Sequence, residues 1–319
     1  MQWRERLPTN RALSVAGPSL VIMWRCTGLR WADGEPAWTW QHPDQGARHS
    51  PLRLGGRVEL AVPEGEVRRC VGVWRAGRWT SCPQEAALAG RIRRDQCEVC
   101  AALDRSQSVA ADTALDDPRP YSVYLAYFGP GVCKVGITRA ERGSTRLLEQ
   151  AAVCFTLLGR GPLMAARRAE SVLGAALGIP DRVSAVAKRT ARAALPPAGE
   201  RAAQLRAVYE AAAGVADWRD TLGPLPYEVV DHAALFGLEP DPPRPALLVT
   251  ELAPGTAVTG VLLAAAGGDL YVDTADGTAL LDAHLASGWA LTRPVAGQPA
   301  APTTRPPAPR RPDRTEPLF

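Results

Sequence analysis

Four cysteines lie close together in this 319-residue chain and form its clearest pattern for metal binding. They are Cys70, Cys82, Cys97 and Cys100, with the spacing C-x11-C-x14-C-x2-C. The last pair has the short spacing of a zinc knuckle, and a hairpin turning at 76–77 would bring the first two thiols together. Four thiolates complete a tetrahedral zinc site without an open position for water, so the sequence predicts a structural zinc ion.

Other interpretations of these cysteines stay open. The CxxC pair is also compatible with redox chemistry, although no βαβ pattern surrounds it. An iron–sulfur cluster is a second alternative, and four unrelated thiols are a third. The chain has seven cysteines, and Cys26, Cys133 and Cys154 are scattered along it. An odd number of this kind does not suit a disulfide framework, so we expect a cytoplasmic protein.

The composition is that of a globular protein, with 46% hydrophobic and 22% charged residues. No stretch reaches the ~18 apolar residues that a membrane helix needs, so we expect no membrane association. An apolar run at 20–24 follows three arginines but lacks the small-residue cleavage site of a signal peptide. The net charge of +4 is compatible with a nucleic-acid partner. The sequence does not indicate an oligomeric state.

A unit of two strands and two helices is predicted after residue 120. The mixed aromatic and aliphatic run at 121–128 is typical of a strand, as is the run at 132–138, and the turn at 129–131 joins them. Helices are expected from about 144 to 152 and from about 162 to 177. Polar side chains on these mostly apolar elements are candidates for chemistry: Tyr124, Lys134, Arg146, Gln150 and Glu170.

This arrangement resembles the GIY-YIG superfamily, whose fold opens with a hairpin that carries one short motif on each strand. Ser122-Val-Tyr matches the first motif, and Lys134-Val-Gly matches the second, with lysine in place of tyrosine. Arg146 matches the arginine of the following helix, for which Arg142 is a rival, and Glu170 matches the glutamate of a later helix. A glutamine, Gln150, replaces the usual helix histidine.

The resemblance implies metal-assisted hydrolysis of phosphodiesters. Tyr124 would activate or position water, Lys134 would hold a phosphate, and Arg146 would stabilise its charge. Glu170 would bind one Mg²⁺ or Mn²⁺ ion. Arg139, Arg142 and Gln150 are further candidates for contacts with nucleic acid, either DNA or RNA.

The excess of basic residues after residue 120 also favours a nucleic-acid ligand. The segment 121–170 has seven basic side chains and three acidic ones, an excess of +4 that equals that of the whole chain. A local excess of this size suits a phosphate-rich ligand.

A narrower resemblance is to an uncharacterised bacterial family, domain-of-unknown-function family 2797. Its members couple a cysteine-rich module to K-V-G-I-T-R, T-R-x-x-x-Q and W-R-x-x-L segments, here at 134–139, 145–150 and 218–222. The resemblance covers roughly residues 50–290. It leaves three functions open: a metal-dependent endonuclease, a catalytically inactive nucleic-acid-binding module, and a zinc-stabilised scaffold for protein interactions.

The predicted fold class is α+β, with a β-rich, zinc-ribbon-like N-terminal module, a GIY-YIG-like α/β domain and a small C-terminal domain resembling a β-barrel. The predicted boundaries are 1–68 for an N-terminal β-rich region, 69–104 for the four-cysteine module, 105–120 for a linker, 121–222 for the GIY-YIG-like domain with a helical extension, 223–295 for the β-rich C-terminal domain and 296–319 for a disordered tail.

Overall fold

A computed structural model describes residues 24–75, 78–105, 117–180, 182–216, 218, 222–295 and 300–307. Most of the predicted linker, most of the predicted tail, the turn at 76–77, the run at 20–23 and Arg219 of the W-R-x-x-L segment lie outside these residues. The described part has mixed strands and helices, which confirms the α+β class.

The N-terminal strands form an antiparallel meander. Its members are β1 (Arg25–Ala32), β2 (Glu35–His42) and β3 (Gly46–Pro51). The predicted turn at Asp33-Gly34 joins the first two, and both residues have positive φ, which Asp and Gly tolerate better than most residues. The next strand, β4 (Arg57–Ala61), does not join this sheet. It pairs with a strand nearly 200 residues later, so the N-terminal region is not an independent unit.

The cysteine module contains a short hairpin and one helix. These are β5 (Val73–Arg75), β6 (Arg78–Thr80) and α1 (Glu98–Arg105). The antiparallel pairing of β5 with β6 confirms the predicted hairpin. Cys70 and Cys82 lie just outside its two strands rather than on them, because only three residues of each strand pair.

A five-stranded antiparallel sheet forms the middle of the chain. Its strands are β7 (Tyr121–Gly129), β8 (Val132–Arg139), β9 (Cys154–Gly161), β10 (Gly223–Pro224) and β11 (Val230–Asp231). The hairpin of β7 and β8 agrees with the sequence prediction, and β9 pairs with the other edge of β7. The sequence analysis missed β9, because its apolar run lies between two helical patterns.

Four helices accompany this central sheet. They are α2 (Thr145–Glu149), α3 (Leu163–Leu177), α4 (Ala185–Arg192) and α5 (Ala198–Gly214). The α2 helix is shorter than predicted, because the chain turns at Ala151 with a φ of 61°. No helix of the described ranges is both long and apolar enough to cross a membrane.

The C-terminal sheet is open, which corrects the barrel-like expectation. It contains β12 (Leu247–Glu251), β13 (Ala257–Ala266), β14 (Asp269–Thr274), β15 (Gly277–Asp282) and β16 (Thr303–Arg305), together with β4. Its order is β16-β12-β15-β14-β13-β4, and among the described strands β16 and β4 remain its two edges. The strand β16 also corrects part of the predicted disordered tail, because its backbone pairs with β12.

All three large sheets share one hydrophobic core. Trp31 of the N-terminal meander, Leu125 of the central sheet and Leu270 of the C-terminal sheet belong to the same cluster of buried side chains. Burial of apolar surface therefore joins regions that the sequence analysis divided into separate domains.

Candidate functional sites

The four predicted cysteines come together in the structure. One sulfur from each lies within 4.8 Å of the others, and the Sγ atoms of Cys82 and Cys97 are 3.9 Å apart. Cys97 precedes α1 and Cys100 lies in its first turn, so the helix start places this pair together. Four sulfurs at such distances form a set that can hold one metal ion.

Backbone N–H groups surround the sulfur atoms. The N–H of Cys97 donates to Cys70 Sγ at 3.2 Å. Burial alone would raise the pKa of Cys82, but hydrogen bonds from the N–H groups of Ala86 and Gln84 and contacts with other cysteines lower it to about 7. Burial raises the pKa of Cys70 and of Cys100. The donors around Cys70 and Cys82 favour the thiolate form that a metal requires.

A glycine allows the loop after Cys70 to approach the hairpin closely. Gly72 has a φ of +77°, and a Cβ atom at this position would lie 2.1 Å from the carbonyl oxygen of Thr80. No other residue type fits without displacing the backbone. The loop that holds Cys70 is therefore packed directly against the strand that leads to Cys82.

The other three cysteines take no part in this cluster. Burial raises the pKa of Cys26 to about 12, of Cys133 to about 11 and of Cys154 to about 12. They are neutral thiols near pH 7 and pack as small apolar side chains.

A second candidate site is built around the phenol of Tyr124. This tyrosine is 1% exposed, and its Oη accepts a hydrogen bond of 2.8 Å from Gln150 Nε2. Gly136 is its cross-strand partner, and a Cβ atom there would lie 2.3 Å from Tyr124 Oη. The glycine of the Lys134-Val-Gly segment therefore leaves the space that the tyrosine ring occupies.

Two other predicted catalytic residues, Arg146 and Glu170, lie near enough for their charges to act on this phenol. Burial raises the pKa of Tyr124, and this effect outweighs the hydrogen bond from Gln150 and the nearby positive charge of Arg146. The charge of Glu170 also acts on the phenol and raises its pKa further. Tyr124 is therefore neutral near pH 7 and can donate a hydrogen bond, but it does not supply a phenolate base.

Lys134 lies on the same face of the sheet as Tyr124. It pairs across the strands with Ala126, which is two residues from Tyr124 on β7. Because cross-strand partners point to the same face, Lys134 and Tyr124 project to the same side.

Two predicted arginines lie apart from the phenol. Arg139 pairs across the strands with Tyr121, on the opposite face of the sheet, and its Nε donates to Tyr121 Oη at 3.4 Å. Arg142 forms an exposed ion pair of 2.7 Å with Glu149. Arg139 therefore faces away from Tyr124, and Arg142 is engaged by Glu149.

Sequence analysis missed a second lysine at this site. Lys188 of α4 donates from Nζ to the carbonyl oxygen of Gln150 at 2.8 Å and lies 4.1 Å from the ring centre of Phe128. Burial and the nearby charges of Lys134, Arg192 and Arg146 lower its pKa to about 8. The composition could have drawn attention to Lys188, since it and Lys134 are the only lysines in a chain rich in arginine.

Ion pairs with the C-terminal sheet hold α4 in place. Arg189 contacts Asp269 and Asp282, and Arg192, which is 1% exposed, donates to Asp269 at 2.5 Å. Asp282 also pairs with Arg93, which precedes the CxxC pair. The helix that carries Lys188 is thus connected through carboxylates to the cysteine module.

The fold and the four-cysteine site define an α+β protein with a candidate metal centre. The chain belongs to the DUF2797 family, described as a protein of unknown function, whose family model matches residues 64–291. No curated protein and no solved structure matches the chain.

Proposed function

We propose that this protein binds the phosphate backbone of nucleic acid on a cationic surface formed by Lys134, Arg146 and Lys188 beside Tyr124. The observation that carries the proposal is that these three cations come from β8, α2 and α4 to lie near one another, with the charges of Lys134 and Arg146 acting on Lys188. Gln150, at the end of α2, links this helix to β7 and to α4, because its side chain donates to Tyr124 and its carbonyl oxygen accepts from Lys188.

These cations repel one another, and Arg146 also has an ion pair of 3.7 Å with Glu149. Burial and this repulsion lower the pKa of Lys188. A phosphate placed among the three cations would replace this repulsion with charge-assisted hydrogen bonds, and Arg146 offers a planar guanidinium for two of them. The likeness of the motif set to GIY-YIG proteins and the +4 excess of residues 121–170 point to the same ligand.

A second candidate function is metal-dependent cleavage of the bound strand. The observation that favours it is the position of Glu170, whose charge acts on Tyr124 across the cationic surface. A carboxylate beside a phosphate site can help to hold Mg²⁺ or Mn²⁺, which would stabilise the leaving oxygen. Tyr124 would then orient water through its hydroxyl, and Gln150 would fix the phenol.

In the same proposal the four cysteines hold a structural zinc ion. The zinc-ribbon likeness of the hairpin and the CxxC pair supports zinc over iron, and four thiolates leave no position for substrate. The metal would order the hairpin of β5 and β6, which presents exposed arginines at positions 75 and 78. A cytoplasmic location remains a prediction.

The test is binding of labelled single- and double-stranded DNA and RNA, measured by fluorescence anisotropy at several salt concentrations. Arg146→Ala is expected to weaken binding about tenfold and to reduce the salt dependence by about one phosphate contact. Arg57→Ala is the matched control, because it removes the same charge from an exposed position on β4. Equal weakening by both variants, or no binding of any nucleic acid, would contradict the proposal.

Cleavage is tested separately with Mn²⁺ and Mg²⁺. Glu170→Gln should abolish cleavage while the anisotropy assay still detects binding. If the wild type binds nucleic acid but never cuts it, the binding function stands and the second candidate is wrong.

A further inference from the structure

A pocket of about 340 Å³ opens on the sheet face that carries Tyr124. Thr138 of β8, Ser122 of β7 and Arg160 of β9 are register partners and form one row across its floor. Tyr124 lies two residues beyond Ser122 on the same strand, about 7 Å further along the same face. The pocket therefore adjoins the cationic surface.

The two walls of the pocket differ in chemistry. One, the apolar wall, consists of side chains from β9, from the segment that follows β10 and from β11: Phe155, Leu157, Leu225, Pro226 and Val230. This segment is tied to the sheet, since Leu225 N donates to Leu158 O at 2.9 Å and Glu228 N to Thr156 Oγ1 at 3.3 Å. The polar part of the lining includes Ser144, at the start of α2.

Hydroxyl groups in the pocket are available to a ligand. Ser122 is 3% exposed and Thr138 is 6% exposed, so both lie at the bottom. Among the described residues no hydrogen bond occupies the hydroxyl of Ser122 or Ser144, and Ser144 does not cap α2 through its side chain. Thr138 Oγ1 makes only a long contact of 3.5 Å with a carbonyl oxygen. Each hydroxyl can donate and accept.

The charges in the pocket lining favour a neutral occupant over a phosphate. Arg160 and Glu228 line the pocket with opposite charges, whereas the neighbouring surface of Lys134, Arg146 and Lys188 is cationic. A neutral, flat ring with a polar edge matches the hydroxyl groups of the floor and the apolar wall. In a nucleotide that carries such a ring, the phosphate would lie one sugar unit away, beside Tyr124.

We propose that the pocket binds one unstacked nucleobase of a single strand whose phosphates lie on the cationic surface. This inference rests on the proposed function and narrows its ligand to single-stranded or locally unpaired nucleic acid. The edge of the base bonds to Ser122 and Thr138, and its face packs against Phe155 and the apolar wall. A base within a duplex cannot enter, because its edge is paired and its faces are stacked.

The first experiment compares oligonucleotides in the anisotropy assay. A single strand is expected to bind more tightly than the same sequence in a duplex, and an otherwise identical strand with abasic sites should bind about tenfold more weakly. Free mononucleotides are tested as competitors. Competition by a mononucleotide at concentrations comparable to those of the strand would show that the pocket serves free nucleotides, which would overturn the single-strand proposal.

The second experiment removes the hydroxyls with little change in shape. Ser122→Ala and Thr138→Val should each weaken binding of the intact strand about 3- to 10-fold and leave binding of the abasic strand unchanged. Thr259→Val, at an exposed position on β13, is the matched control, and circular dichroism checks that each variant is folded.

The outcomes separate this inference from the proposed function. Equal affinity for intact and abasic strands, with binding still dependent on Arg146, would overturn the base pocket and leave the phosphate surface. Absence of nucleic-acid binding would overturn both. Loss of binding in Ser122→Ala for intact and abasic strands alike would also contradict the pocket, since it would indicate a general structural effect.

Discussion

The cysteine cluster and the site at Tyr124 differ in how the fold brings their polar groups together. The cysteines come from one stretch of the chain, and backbone N–H groups of neighbouring loops donate to their sulfurs. The residues at Tyr124 come from two strands and three helices, and their charges act directly on one another. A closed sulfur set suits a permanent metal, whereas a group of neighbouring cations on a surface suits a ligand that binds and leaves.

Removal of the CxxC thiols should have the largest effect. It tests whether the cysteine cluster holds a structural metal ion. Cys97→Ser with Cys100→Ser should reduce bound zinc from about one per chain to none and strongly lower the melting temperature. Structural zinc contributes an apparent binding free energy of about 10–16 kcal/mol in small zinc domains. Elemental analysis and thermal unfolding measure both effects, with Cys133→Ala as the control outside the cluster. A metal-free wild type that is stably folded would contradict the prediction.

Gly136→Ala should disrupt the site at Tyr124 through a steric clash alone. The added methyl group would overlap Tyr124 Oη, and the displaced ring should reduce the free energy of unfolding by about 1–3 kcal/mol. Chemical denaturation measures this change. Gly199→Ala is the control, because a Cβ atom there meets nothing within 4 Å. Equal stability of the two variants would show that the ring is not confined as the structure indicates.

The lowered pKa of Lys188 predicts a pH dependence of stability. Its pKa is about 8 in the folded protein, below the ordinary lysine value of 10.5, so the unfolded chain binds more protons between these values. The free energy of unfolding should therefore rise by about 1–3 kcal/mol from pH 8 to pH 10.5. The measurement is the difference between wild type and Lys188→Met in denaturation at each pH. A flat difference across this window would contradict the lowered pKa of Lys188.

The smallest effect is expected for Tyr124→Phe. This change removes the hydrogen bond from Gln150 and should cost about 0.5–1.5 kcal/mol of stability. A double-mutant cycle with Gln150→Ala isolates the interaction between the two side chains. Additive effects of the two changes would show that the hydrogen bond does not contribute to stability.

The cysteine site could be predicted because the residues that form it are close together in the sequence. Four thiols and a short hairpin specify a cluster from their spacing, and the structure brings the same four residues together. The hairpin of β7 and β8 was predictable for the same reason, since its glycine turn and two apolar runs are adjacent in sequence. The register of that hairpin then places Gly136 against Tyr124.

Long-range contacts explain what sequence analysis did not find. The strand β4 pairs with β13 through contacts that no local pattern indicates, and this pairing joins the N-terminal region to the C-terminal sheet. Lys188 lies 38 residues beyond Gln150, and only the packing of α4 on the central sheet brings the two together. The open form of the C-terminal sheet likewise depends on how its two edge strands are placed.

Arg68 links the cysteine module to the C-terminal sheet. Its contacts therefore affect the order in which parts of the chain can fold during synthesis. It is 1% exposed, and its guanidinium donates to the carbonyl oxygens of Ala89, Ile92, His284 and Ser287. His284 leaves the ribosome 216 residues after Arg68, about 10–40 s later at usual rates of translation. In the nascent module this cation therefore lacks two of its four acceptors until residues 284–287 have been made.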